Sequence, residues 1–152
     1  MKNILRLSFL FVLGFAVFAS CTKRTTDNPP SSGTTNSMTG TFGGTKWTAE
    51  TIAVSIDTSL NTIIFAGTSA TNSTVTVSIS ETITSGTYDQ NSATIEFYYD
   101  ATHYYYLTAG TVKISSNTGG VIIGSFSGTM TNPSTGVTTT ATAASFTIKY
   151  KK

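Results

Sequence analysis

The chain has 152 residues with 9 Lys and Arg against 7 Asp and Glu, 11% charged residues, one Cys and one His. Such weak charge excludes a nucleic-acid footprint, a single Cys excludes an internal disulfide framework, and a single His leaves too few donors for a zinc centre of three or four ligands. The length suits one folded domain, and nothing in the composition calls for a metal or cofactor.

The chain opens on a signal segment. Lys2 and Arg6 are followed by an apolar run, Leu7 to Ala19, of thirteen residues. That is the length of a signal-peptide core and short of the ~20 residues that span a bilayer. The run closes on Phe18-Ala19-Ser20-Cys21, which resembles the lipobox of bacterial lipoproteins. The resemblance implies cleavage before Cys21 and transfer of a diacylglyceryl group to its thiol, with fatty acids such as palmitate as the anchor. Each buried methylene contributes about 0.8 kcal/mol, so two or more chains hold a protein stably at a membrane. Thr22 follows the Cys; in lipoproteins of this kind the absence of Asp there implies the outer membrane. Loss of Lys2 and Arg6 lowers Lys plus Arg from 9 to 7, equal to the 7 acids, so the mature chain is expected to be near neutral.

Residues 1–20 are therefore read as a lipoprotein signal peptide, 21–40 as the lipidated Cys and a flexible tether, and 41–152 as an all-β domain. The stretch from Thr22 to Gly40 is rich in Ser and Thr, contains Pro29-Pro30 and has almost no apolar side chains. It cannot bury enough surface to fold, and as a flexible coil it reaches roughly 25 Å.

Beyond it, alternation with period two in Thr, Val, Ile, Tyr and Phe dominates, broken at short intervals by Gly, Asn, Asp and Pro,. The first predicted strand is Lys46 to Asp57, with a parity switch near Glu50-Thr51 that implies a bend. Thr62 to Thr68, Ser73 to Ser80 and Thr82 to Tyr88 follow, then Ala93 to Tyr99. The Asp100-Ala101-Thr102 turn leads into His103 to Thr108. Thr111 to Ser116 and Val121 to Thr131 flank Asn117-Thr118-Gly119-Gly120, a strong hairpin signal. Val137 to Ala143 and Ser145 to Tyr150 close the chain. The expected fold is all-β, an antiparallel sandwich or small closed barrel of about eight or nine strands. Shared parity places Val77, Ile79, Phe97, Phe126, Phe146 and Ile148 in its core.

Several short motifs recur in a fixed order: Gly44-Thr45-Lys46-Trp47, Gly86-Thr87-Tyr88, Gly110-Thr111-Val112-Lys113-Ile114, Gly124-Ser125-Phe126 and Ser145-Phe146-Thr147-Ile148-Lys149-Tyr150. In this order they resemble a family of small uncharacterised bacterial lipoproteins classed as a domain of unknown function. That resemblance implies a cell-envelope location and carries no activity and no functional residues.

No nucleophile elbow accompanies His103. The carboxylates Glu50, Asp57, Glu81, Asp89, Glu96 and Asp100 are scattered over turns and strand faces rather than paired for acid–base work. Asp89-Gln90-Asn91 offers oxygen donors without a calcium-loop spacing. The one local density is aromatic: Tyr98, Tyr99, Tyr104, Tyr105 and Tyr106 lie on two strands of one predicted hairpin. Alternate side chains must face opposite ways, so one buried face cannot absorb all five. With Phe97 and Tyr99 inward, Tyr98 and Glu96 point out, joined by Tyr104 and Tyr106 or by His103 and Tyr105. The second arrangement makes Tyr98, Tyr105, Glu96 and His103 the expected contact surface for a glycan or protein ligand; cross-strand pairing that stabilises the hairpin is the plainer role. The expected function is a lipid-anchored, non-enzymatic envelope domain that presents a binding surface. A purely structural or strand-pairing envelope subunit is the alternative, and a hydrolase a distant third.

Overall fold

The alternating segments become strands because each places apolar side chains on one face at every second residue, which an extended chain can bury together. In a computed structural model that describes residues 35–100 and 103–150, they form ten strands: β1 (Ser37–Phe42), β2 (Thr45–Thr48), β3 (Thr51–Asp57), β4 (Thr62–Thr68), β5 (Thr74–Ser80), β6 (Gly86–Asp89), β7 (Ala93–Tyr98), β8 (Tyr104–Thr118), β9 (Val121–Thr131) and β10 (Thr138–Lys149). The signal segment, Cys21 and most of the expected tether lie outside the described residues.

All ten strands join one antiparallel sheet, in the order β2-β1-β10-β9-β8-β7-β5-β4-β3, with β6 beside the second half of β8. The sheet is curled into a half-barrel. Contacts between strands distant in the order express that curl. Phe42 of β1 stacks on Phe97 of β7 with ring centroids 4.4 Å apart, and Phe65 of β4 meets Phe146 of β10 at 5.0 Å. The concave face holds the core, and the six core residues expected from parity are all buried there.

The chain closes part of the seam itself. Leaving β2, the Ala49 amide still donates to the Met38 carbonyl of β1, and the next amide, Glu50, donates to Thr68 of β4. One continuous run thus lies first against one end of the sheet and then against the other. The parity switch near Glu50-Thr51 is this change of partner. Gly67 permits the approach, since a Cβ there would sit 2.9 Å from both the Met38 sulfur and the Ala49 Cβ.

Lys46–Asp57, expected as one bent strand, is thus two, β2 and β3, and three further boundaries differ from the sequence reading. The first strand begins at Ser37, inside the stretch expected to be tether, because β10 offers it a partner over Ser37–Phe42. The pairs expected as separate strands after His103 and after Val137 are single long strands, β8 and β10, each continued through a bulge. Gly110 faces Gly128 across β8 and β9 with φ of 147° and 155°, and a Cβ at either would fall on a backbone carbonyl. The glycines therefore bend the strands without ending them. Finally, only the last three residues of the expected Thr82–Tyr88 strand pair, and the strand runs on one residue as Gly86–Asp89. The irregular residues before it are fastened by Asn117, whose Nδ2 donates to the carbonyls of Glu81 (3.1 Å) and Ile83 (2.9 Å) while its Oδ1 accepts from the Tyr150 hydroxyl (2.6 Å).

Candidate functional site

The β7–β8 hairpin decides where the tyrosines go. Its register pairs Glu96 with Tyr106, Phe97 with Tyr105, and Tyr98 with Tyr104. Directly opposed residues share a face, so Glu96, Tyr98, Tyr104 and Tyr106 stand on the convex side, and Phe97 and Tyr105 on the concave side. The four residues expected to share one surface are therefore split: Tyr98 and Glu96 on one side, Tyr105 and His103 on the other.

The convex group packs mainly on itself. Tyr98 stacks on Tyr104 (5.9 Å, 18°), which meets Tyr106 edge-on (5.8 Å, 84°). The Tyr98 hydroxyl donates to Glu96 Oε2 at 3.0 Å, and the hydroxyls of Tyr104 and Ser134 lie 3.2 Å apart. Burial first, and the neighbouring Glu96 charge second, hold the phenols of Tyr98 and Tyr106 above their ordinary ionisation range. These three rings and the carboxylate are half-buried, the geometry of a cross-strand ladder that fastens the hairpin.

The concave group forms a mouth at one end of the half-barrel. The β1–β2 turn makes one lip, the β7–β8 turn the other, and Thr139 at the start of β10 lies between them. A cleft of about 340 Å³ is lined by Phe42, Gly43, Thr45, Phe97, Tyr99, His103, Tyr105 and Thr139. Its floor is the stacked pair Phe42 and Phe97, with Trp47 edge-on to Phe42 at 5.9 Å. Above the floor stands Tyr99, 63% exposed, its ring inclined 69° to Phe97 at 6.5 Å. Its amide donates to the His103 carbonyl at 2.9 Å, closing the turn.

Next in the chain, the Asp100 carboxylate meets His103. The His103 amide donates to Oδ1 at 2.8 Å, and Nδ1 lies 2.9 and 2.8 Å from the two oxygens. No family model, curated protein or solved structure matches the chain. The mouth must therefore be read from its own chemistry.

That chemistry is an exposed ring on an aromatic floor, the imidazole of His103, itself paired with Asp100, and Thr45 and Thr139 in the lining. Among the described residues no three His, Cys, Asp or Glu side chains gather where a metal ion would fit. Phe42 and Thr139 were not singled out from sequence, Asp100 was read as a scattered carboxylate, and Tyr99 was expected to point inward, whereas at the end of the hairpin it stays exposed. Tyr99 was legible as an aromatic beside a turn, whereas Phe42 and Thr139 join the mouth only through the curl of the sheet.

Proposed function

We propose that this chain is a lipid-anchored, non-enzymatic domain of the bacterial cell envelope, held at the outer membrane through Cys21 and presenting the aromatic mouth as a binding surface. The anchor rests on the lipobox-like Phe18-Ala19-Ser20-Cys21 and on the use of the single Cys at that point. The binding role rests on Tyr99, the aromatic ring that stays exposed among the described residues while the other rings are buried or half-buried. An exposed ring set in a cleft beside oriented polar groups is the usual composition of a ligand site. The direction of β1 supports the same reading: the chain enters it at Ser37 and reaches the mouth at Phe42, so the mouth lies at the far end of the strand from the tether.

Cys21→Ser should abolish palmitate incorporation and move the protein from membranes to the soluble fraction; a variant that resists a high-salt wash of the membranes refutes the anchor. A photo-cross-linking residue at Thr139 should trap material in intact envelopes, whereas one at the exposed Lys113 should not. Absence of any adduct at Thr139 refutes the binding role.

A second reading, a strand-pairing envelope subunit, is favoured by β3. This strand ends the sheet, and its inward Ile52, Val54 and Ile56 are only half-buried. A cleft of about 420 Å³ separates Val54, Ser55 and Ile56 from Lys149 and Tyr150. An uncovered edge of this kind accepts an added strand. A cross-linker at Ser55 should then trap a neighbouring chain, and recovery of uncross-linked protein alone rejects this reading.

A further inference from the structure

The mouth has features that narrow its ligand class, given that it is a binding surface as proposed above. We infer that it takes a neutral sugar ring, with one C–H face of the ring against Tyr99 and its hydroxyls at His103, Thr45 and Thr139.

The first feature is the state of Tyr99. A sugar ring presents an apolar C–H face bordered by hydroxyls, and it is matched by an aromatic face bordered by polar groups. Tyr99 is exposed but not loose: its amide is bonded within the turn and its ring edge rests on Phe97, itself stacked on the buried Phe42. A ring held in place before the ligand arrives loses little freedom on binding.

The second feature is the adjoining polar pair. The side chains of His103 and Asp100 are 59% and 46% exposed and lie at hydrogen-bond distance from one another. Of the two, the His103 imidazole lines the cleft, and its contact with Asp100 fixes its angle. Thr45 and Thr139 line the cleft as well, and their hydroxyls both donate and accept.

The third feature is charge. No Lys or Arg lines the cleft, so an acidic ligand finds no counter-charge there. This disfavours uronic acids, sialic acids and phosphates, and favours a neutral ring. The fourth is shape. The volume of about 340 Å³ lies at the small end of ligand sites,, suited to the terminal residue of a glycan rather than to a folded partner.

Affinity electrophoresis tests this, using the full chain in a polyoxyethylene detergent, whose headgroup is not a sugar. Gels would contain starch, β-1,3-glucan, galactomannan or xylan, with polygalacturonate as the acidic comparison. At least one neutral polysaccharide should retard the protein. Tyr99→Ala should weaken that retardation about tenfold, the scale of one lost stacking contact, while Tyr99→Phe retains most of it. Tyr98→Ala, on the convex face, should bind as the parent does. Thermal melts of the variants confirm that each is folded. Failure of all four neutral polysaccharides to retard the chain, retardation by polygalacturonate alone, or equal binding by folded Tyr99→Ala would each overturn the inference. A peptide adduct at Thr139 without polysaccharide binding would overturn the sugar assignment and leave the mouth as a binding surface intact.

Discussion

Phe42 and Phe97 provide a direct test of the curl on which the mouth depends. They sit on β1 and β7, four steps apart in the strand order. At about 4.8 Å per step, a flat sheet would hold them about 19 Å apart, beyond the distance at which substitutions couple. In the curled sheet their rings stack at 4.4 Å with planes 13° apart, and the residues are 5% and 7% exposed. Phe→Ala at both sites would remove about 6–10 kcal/mol, comparable to the whole stability of a small domain, so Phe→Leu is the better perturbation. Each Leu keeps most of the apolar volume and should cost about 1 kcal/mol. The double variant should cost less than the sum of the singles by about 0.5–1.5 kcal/mol, the stacking contribution that either single already removes. Urea unfolding of the four proteins, followed by the near-ultraviolet signal of Trp47 and the tyrosines, measures the cycle. The m-values should agree if all four unfold as one unit. Additivity within about 0.3 kcal/mol would show that the rings do not touch, and the half-barrel and its mouth would fall together.

Two further outcomes follow from polar groups. Asn117→Ala should destabilise the domain by about 1–3 kcal/mol, because it strands the Glu81 and Ile83 carbonyls and the Tyr150 hydroxyl,; a loss under about 0.5 kcal/mol in urea unfolding would show that water replaces it freely. The Tyr98 phenol ionises above its ordinary value in the folded state, through burial and then Glu96. The unfolded chain therefore releases this proton first as pH rises past about 10, and stability should fall through that range while being fully present below it. Tyr98→Phe should reduce that alkaline loss, and an unchanged dependence would refute the Glu96 contact.

Period-two alternation was enough to read the fold class, and the ends of β4 and β9 were legible to the residue. What alternation does not encode is which strands meet. Ser37–Gly40 reads as polar tether because Met38 is its only large apolar side chain; the unpaired side of β10 makes it part of a strand. Bulges at Leu107–Ala109 and Ala141–Ala144 shift register within a continuous strand, and in sequence such a shift looks like a break. The tyrosine hairpin shows the same limit. Its density and its two-faced character followed from parity, but the face shared by Tyr98 depended on the pairing across the Asp100 turn. One register joins Tyr98 to Tyr104, the other would have joined it to Tyr105, and composition is identical in both.

The position of β1 has a mechanical consequence. The chain enters this strand at Ser37 and ends it at Phe42, under the mouth, while β10 flanks it along its length and β2 along its second half. Hydrogen bonds of an antiparallel ladder lie across the strand direction. A pull delivered through the N-terminal segment and resisted by cargo at Phe42 therefore runs along β1 and shears its bonds together, instead of opening them one after another from an end. Were the chain held by its N-terminus, as proposed, a load on the mouth would fall on β1 in this resistant direction.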